Sequence, residues 1–148
     1  SVVSSDHVAT TEARKRDDEW WACHKGVNSL QTGLPVFHDE AVNERGLSYP
    51  ALVRLKCLRP ARTFGMSNKG RIEPGADADI VLFDPDETYT ILADENHSQA
   101  DFSIYEGRTV TGRVKKTFVR GEIVADDGEI TADPGHGSVL SREVPDWS

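Results

Sequence analysis

NKGRIEPGADADIVLFDPDETYTI, residues 68–91, marks the point where the chain changes its pattern. Upstream of it, apolar residues recur at helical spacing; from here on they run together or alternate as in strands. Pro74-Gly75 is a turn pair, and Gly70 and Gly75 stand on either side of Arg71-Ile72-Glu73. Asp77 and Asp79 flank a strand entry, where a short carboxylate accepts backbone N–H groups. The GADAD run therefore marks a fold and carries no chemistry. IVLF (80–83) is a continuous apolar run of the kind found in a doubly covered strand.

Downstream, YTIL (89–92), RTVTGRVKKTFV (108–119) and EIVA (122–125) are rich in β-branched and aromatic residues. RGE (120–122) and DDGE (126–129) read as the turns between them. DPGHGSVLSREVPDWS closes the chain as an extended tail. Upstream, Leu30, Leu34, Phe37 and Ala41 recur at steps of three and four, which predicts a helix from Asn28 that buries this face and stops at Gly46. Pro35 within this pattern makes the first turn irregular or brings the start of the helix nearer to it. Ser48 reads as the N-cap of a second helix with Pro50 in its first turn and Leu52, Leu55 and Leu58 as its buried stripe. Pro60 opens a third, short helix that Gly65 closes. The run TEARKRDDE reads as a solvated loop or short helix, and Trp20-Trp21 after it as a pair with something to cover.

The bulk numbers limit what the chain does. Its 148 residues suffice for one medium domain with a real core. A formal charge of −8 argues against a phosphate-neutralising face for nucleic acid. No apolar stretch approaches the roughly 20 residues that span a bilayer. Cys23 and Cys57 lie far apart with no CxxC spacing, which points to reduced thiols of a cytoplasmic protein rather than a disulfide framework or zinc knuckle. The chain opens without Met inside what reads as a strand, and is expected to be a piece of something longer.

These stretches carry a family resemblance. Residues 68–91 resemble the segment by which the amidohydrolase superfamily passes from its barrel into a small β-sandwich. LVRLKCLRPARTFGM (52–66) is similar to what precedes that segment in cyclic amidohydrolases. HSQADFSIYEGRTVTGRVKKTFVRGEIVADDGEI (97–130) is similar to the end of dihydropyrimidinases and hydantoinases, and SLQTGLPVFHDEAVNERGLS (29–48) resembles allantoinase. The resemblance implies an α/β plus β fold, the C-terminal part of a (β/α)8 TIM-type barrel leading into a small β-sandwich. Residues 1–66 would supply the last barrel strand (Val2 to Ser5), the active-site loop and helices; 67–130 a β-sandwich segment; and 131–148 an extended tail.

SSDHVATT (4–11) then takes on meaning. By itself the Asp6-His7 pair is a turn, an N-cap, or the tip of a catalytic strand. The resemblance implies the last, with Asp6 at the mouth of the barrel, where such active sites are built. It implies that Asp6 ligates a metal centre, usually of two zinc ions, and shuttles a proton from the attacking water to the leaving ring nitrogen. His7 either orients Asp6 or the backbone or is structural. Residues 24–28 correspond to a loop that in hydantoinase-like enzymes meets the cyclic imide through backbone groups, so Lys25 and Gly26 are implied substrate contacts. Those enzymes usually carry Asn where this chain has Lys25, a change that backbone contact survives and side-chain selectivity does not. His24 beside Cys23 lacks spaced partners for a metal pair, and His38, His97 and His136 read as structural or surface residues.

The same resemblance places the remaining zinc ligands (an HxH pair, a carbamylated lysine and two histidines) upstream of Ser1, so this chain alone is expected to be inactive. The implied function is the C-terminal portion of a metal-dependent cyclic amidohydrolase that opens hydantoin or dihydropyrimidine rings. Allantoinase, dihydroorotase and a non-catalytic dihydropyrimidinase-related scaffold are the alternatives, with a free-standing β-rich binding module as a third class. The implied partners are a small cyclic amide, the remainder of the barrel and further copies in a homo-oligomer such as a homotetramer. Neither nucleic acid nor membrane is among them.

Overall fold

A computed structural model describes residues 1–145. The last three residues of the tail expected over 131–148 lie outside the described residues. Helix α1 (Gly33–Phe37) runs on without a break as a π-helical stretch, His38–Asn43. Helix α2 (Tyr49–Val53) continues as a second π-helical stretch, Arg54–Leu58, into α3 (Arg59–Thr63). Four strands follow, β1 (Ile80–Thr90), β2 (Thr109–Val119), β3 (Glu122–Asp126) and β4 (Glu129–Ile130), in one sheet of order β1-β2-β3-β4. Both the β2–β3 and β3–β4 pairs are antiparallel. Among the described residues no helix is long and apolar enough to cross a membrane.

Several expectations shift on contact with the structure, each for a physical reason. The third helix is not separate: α2, the π stretch and α3 form one continuous run. Pro60 lacks an N–H and crowds the carbonyl four residues back. The wider π turn just before it accommodates both defects. The first helix begins at Gly33, close to Pro35 as the second of the two alternatives there had it, and Asn28, Ser29 and Leu30 are engaged in other hydrogen bonds instead. Its buried face is Pro35, Val36 and His38, while Leu30 is 68% exposed. The runs at 80–83 and 89–92 belong largely to one strand that passes straight through Pro85. An edge strand tolerates proline on its open side, and β1 is an edge of this sheet. Val81 and Leu82 are exposed in this chain, so the expected double cover is not supplied by the described residues. Among the described residues Val2 to Ser5 makes no ladder either; an isolated parallel bridge joins His7 and Val27 nearby. A parallel strand needs neighbouring strands, and the described residues offer none at that place.

Both turns read from the sequence are present. Arg120-Gly121 and Asp127-Gly128 have positive φ at both central positions (52°, 85° and 47°, 95°), the geometry of two-residue hairpin turns whose twist suits the flanking strands.

The chain divides into two compact units. One comprises Ser1–Val3, Gly46–Asp84 and the described residues from Arg113 on; the other comprises Ser4–Arg45 and Pro85–Gly112. In the first, Leu52 and Ala61 are the buried anchors of the helical run. Lys69 binds the carboxylates of both Asp77 (2.8 Å) and Asp79, and Asp79 Oδ1 accepts the Arg120 N–H at 2.9 Å. The GADAD run thus ties the strand entry to the β2–β3 hairpin, the structural job read for it. The tail is held by Glu143, whose N–H reaches Gly65 O at 2.9 Å.

In the second unit, Val36, Ile91 and Val110 form the core, with Tyr89 and Tyr105 packed against it. His38 is fully buried, and its Nδ1 lies 2.9 Å from Thr111 O. Asn43 Nδ2 donates to the same carbonyl at 3.3 Å, and Asp39 accepts the Thr111 N–H at 3.1 Å. Arg108 adds ion pairs to Asp39 and Glu40. The π stretch thus sets His38, Asp39 and Asn43 against Thr111 of β2, with Glu40 paired to Arg108 just before the strand.

Candidate active site

Asp6 is the point around which the site is built. Residues on both sides of it are fastened to the stretch 27–30. Ser5 O accepts the Ser29 hydroxyl at 2.9 Å. Asp6 O accepts the Val27 N–H at 3.1 Å, and the Val8 N–H reaches Val27 O at 2.9 Å. The His7 ring accepts two more donors through Nδ1, from Ser29 N at 3.3 Å and Leu30 N at 3.1 Å. A neutral His7 therefore carries its proton on Nε2. Of the two readings left open for His7, the structure has it fixing backbone.

Asp6 itself has φ = 48°, in the left-handed region. Among the described residues, the two other non-glycine residues with positive φ, Arg120 and Asp127, sit in hairpin turns that demand it. Asp6 sits in no hairpin. Holding an L-residue there costs about 1–3 kcal/mol, and such strain persists only where the surroundings over-determine it. Four flanking hydrogen bonds do so. Its side chain is exposed, and among the described residues no group pairs with the carboxylate. The backbone of Asp6 is thus left-handed and fastened to the stretch 27–30, and its carboxylate is exposed.

Gly26 lies against this segment. Its φ is +76°, and a Cβ there would sit 2.9 Å from Asp6 O and collide with Val8 Cγ2. The structure thus brings Gly26 and Asp6 together. Lys25 goes elsewhere: its ammonium lies 5.2 Å from the centre of the Trp20 ring and 3.3 Å from Trp21 O. The two indoles meet edge to face with centres 5.7 Å apart, and both remain exposed. The carbonyls of His24 and Gly26 both accept hydrogen bonds from Lys15, and His24 N–H reaches Arg14 O at 3.1 Å. Several backbone groups of this loop are therefore committed within the chain. Lys15 was not legible as a site residue, because it lies inside a charge run that reads as solvated; it is the one basic residue of that run that is not exposed.

A divalent cation needs several ligands, and among the described residues no group of three or more His, Cys, Asp or Glu side chains could hold one. Asp6 offers a single oxygen donor of suitable hardness.

The sequence matches the model of the amidohydrolase family over residues 3–124. The chain belongs to the amidohydrolase family. Within it, the chain is 36% identical over 145 residues to a D-hydantoinase of Streptomyces coelicolor, covering 95% of this chain and 31% of that protein. It is 39% identical over 141 residues to an allantoinase of Streptomyces avermitilis, with the same coverages of 95% and 31%. The crystal structure of a dihydropyrimidinase from Brevibacillus agri superposes with a TM-score of 0.93 at 27% identity, over 99% of this chain and 33% of that one. The chain thus spans about a third of the length of the amidohydrolases it matches.

Proposed function

We propose that this chain is the C-terminal portion of a metal-dependent cyclic amidohydrolase that opens ring amides or imides such as hydantoin and dihydropyrimidines by hydrolysis. The observation that carries this reading is the 36% identity to a D-hydantoinase sustained over 95% of the chain, in which Asp6 is strained, fastened and exposed. In this reading residues 1–66 complete a (β/α)8 barrel, with Val2 to Ser5 as a strand once its neighbours are present, and 67–130 belong to a β-sandwich. Allantoinase is the second reading, favoured by 39% identity over a similar span.

Zinc is the proposed resident metal. Asp6 would be this chain's contribution to its ligands, and the others must come from outside the chain. When bound, such a metal polarises the scissile carbonyl. The task proposed for Asp6 is to move a proton. One carboxylate oxygen takes it from the attacking water and later gives it to the ring nitrogen, which would otherwise leave as a poor anion. The left-handed backbone, held from both sides, keeps that oxygen from swinging away between the two transfers. Gly26 is proposed as a backbone contact for the substrate, and Lys25, stacked on Trp20, as the wall of the same loop. The whole protein is proposed to be a cytoplasmic homo-oligomer, and the charge of −8 supports a protein that binds no nucleic acid.

The test is ring opening by the full-length protein on hydantoin, dihydrouracil and allantoin, with metal content measured alongside. Turnover of one of them by a metal-containing protein is the expected result. A metal-free protein inactive on all three would favour the non-catalytic scaffold and overturn this proposal.

A further inference from the structure

We propose that Lys15 is a positioning residue that holds Asp6 in its working geometry through Gly26. The inference rests on the catalytic reading of Asp6 and adds to it the element that keeps the strained backbone in place.

Lys15 ends a short 3-10 turn, Glu12–Lys15, within the most charged stretch of the chain. An ordinary surface lysine points to solvent. This one is half-buried and turns its ammonium inward, onto His24 O at 2.6 Å and onto Gly26 O. No carboxylate among the described residues competes for it. Two carbonyls converging on one ammonium make a charge-assisted clamp, about twice as strong per bond as a neutral pair. The His24 N–H to Arg14 O bond closes the same loop from its other edge. Residues 15–26 are thereby drawn into a ring, with Lys15 as its clasp.

What the clasp holds is decided by the next residue. Val27 follows Gly26 directly, and its N–H and C=O are the two groups that bridge to Asp6 O and Val8 N. Gly26 also lies flat against Asp6 O, at a distance no side chain would allow. A shift of the Gly26 carbonyl therefore moves the bridge, and without the bridge Asp6 relaxes from φ = 48° to an ordinary extended conformation. Lys15 touches neither the substrate nor Asp6 in this scheme; it acts through the backbone between them.

The experiment uses the full-length protein with Lys15→Met and Lys15→Arg, read by amide hydrogen exchange and by steady-state ring opening. In Lys15→Met the Val8 and Val27 amides should exchange about tenfold faster, the effect of losing charge-assisted bonds worth roughly 1.4 kcal/mol. The same variant should lose about tenfold or more in kcat while KM stays within about twofold, because orientation of a reacting group is lost and binding is not. Lys15→Arg, which keeps donors for both carbonyls, should recover most of both effects. Unchanged protection at Val27, a loss confined to KM, or an arginine variant no better than the methionine would overturn the proposal. Should Lys15→Met not fold, Lys15→Gln takes its place: intermediate protection at Val27 supports the clasp, and wild-type protection refutes it. An Asp6→Asn protein of undiminished kcat would instead sink the catalytic reading itself, with the exchange data unaffected.

Discussion

Consider Gly26→Ala in the full-length protein. Two separable costs arise at this position. The first is conformational: φ is +76°, and an L-residue in the left-handed region costs about 1–2 kcal/mol. The second is steric, since the new Cβ would collide with Val8 Cγ2 and stand 2.9 Å from both Asp6 O and Val8 Cβ. Forcing extra volume into such a contact typically costs about 1–3 kcal/mol. Together they give a loss of about 3 kcal/mol. Gly75 provides the control, because its φ is +91° but nothing lies within 4 Å of its hypothetical Cβ. Gly75→Ala should therefore show the conformational cost alone, about 1 kcal/mol. Urea unfolding of both variants measures the difference, expected to be about 2 kcal/mol. Ring-opening kinetics should separate them further, since a displaced Asp6 costs about a hundredfold in kcat and the Gly75 turn lies outside the site. Equal stabilities, or equal kcat values, for the two variants would refute the close approach of Gly26 to the Asp6 backbone.

His7→Phe should destabilise the site segment by about 2 kcal/mol, because the Ser29 and Leu30 N–H groups lose their acceptor and Ser29 is buried; His7→Asn, whose Oδ1 replaces Nδ1, should recover most of it in thermal unfolding. A phenylalanine variant as stable as the asparagine one would contradict that role. The Lys69 cluster gives a pH signature. Burial pushes the Asp79 carboxyl up, but the hydrogen bonds from Lys69 and from the Arg120 N–H outweigh it and hold it below its ordinary value of 3.8. The hydrogen bonds of Asp77 and Asp79 hold the Lys69 ammonium above its ordinary value of 10.5. A depressed carboxyl stabilises the fold above its ordinary pKa and loses that effect as pH falls through the folded value; a raised ammonium stabilises below its ordinary pKa and loses the effect at higher pH. The gap in melting temperature between wild type and Lys69→Met should therefore be widest near neutrality and shrink as pH falls from about 5 to below 3. A gap constant over that range would show that the cluster contributes nothing through charge.

Much of this was legible along the chain because the relevant rules are local. Two-residue turns need positive φ twice, and RG and DG at 120–121 and 127–128 announce them. Asp77 and Asp79 were readable as acceptors of backbone N–H groups at a strand entry; Asp79 takes one from Arg120, whereas Asp77 is shown paired with the Lys69 ammonium. What escaped were features set by distant partners. The registry of α1 is decided by Thr111 and Arg108, about 70 residues away, which draw His38, Asp39, Glu40 and Asn43 to one side. The runs 80–83 and 89–92 were read apart, and Pro85 between them is carried by a strand that lies at the edge of the sheet. At the site, Asp6 stood out only through resemblance, since an Asp-His pair in a polar stretch is commonplace. Its left-handed backbone has no local signature, and Lys15 is hidden by the charges around it. Val81, Leu82, Trp20 and Trp21 are exposed in a chain that spans about a third of the length of its relatives.

The most direct test concerns one side chain. Asp6→Asn in the full-length protein preserves size and the tolerance for positive φ while removing the proton acceptor. On whichever of hydantoin, dihydrouracil or allantoin the wild type turns over, kcat should fall by about a thousandfold with KM little changed. An Asp6→Asn protein that opens the ring at the wild-type rate would contradict the account at its centre.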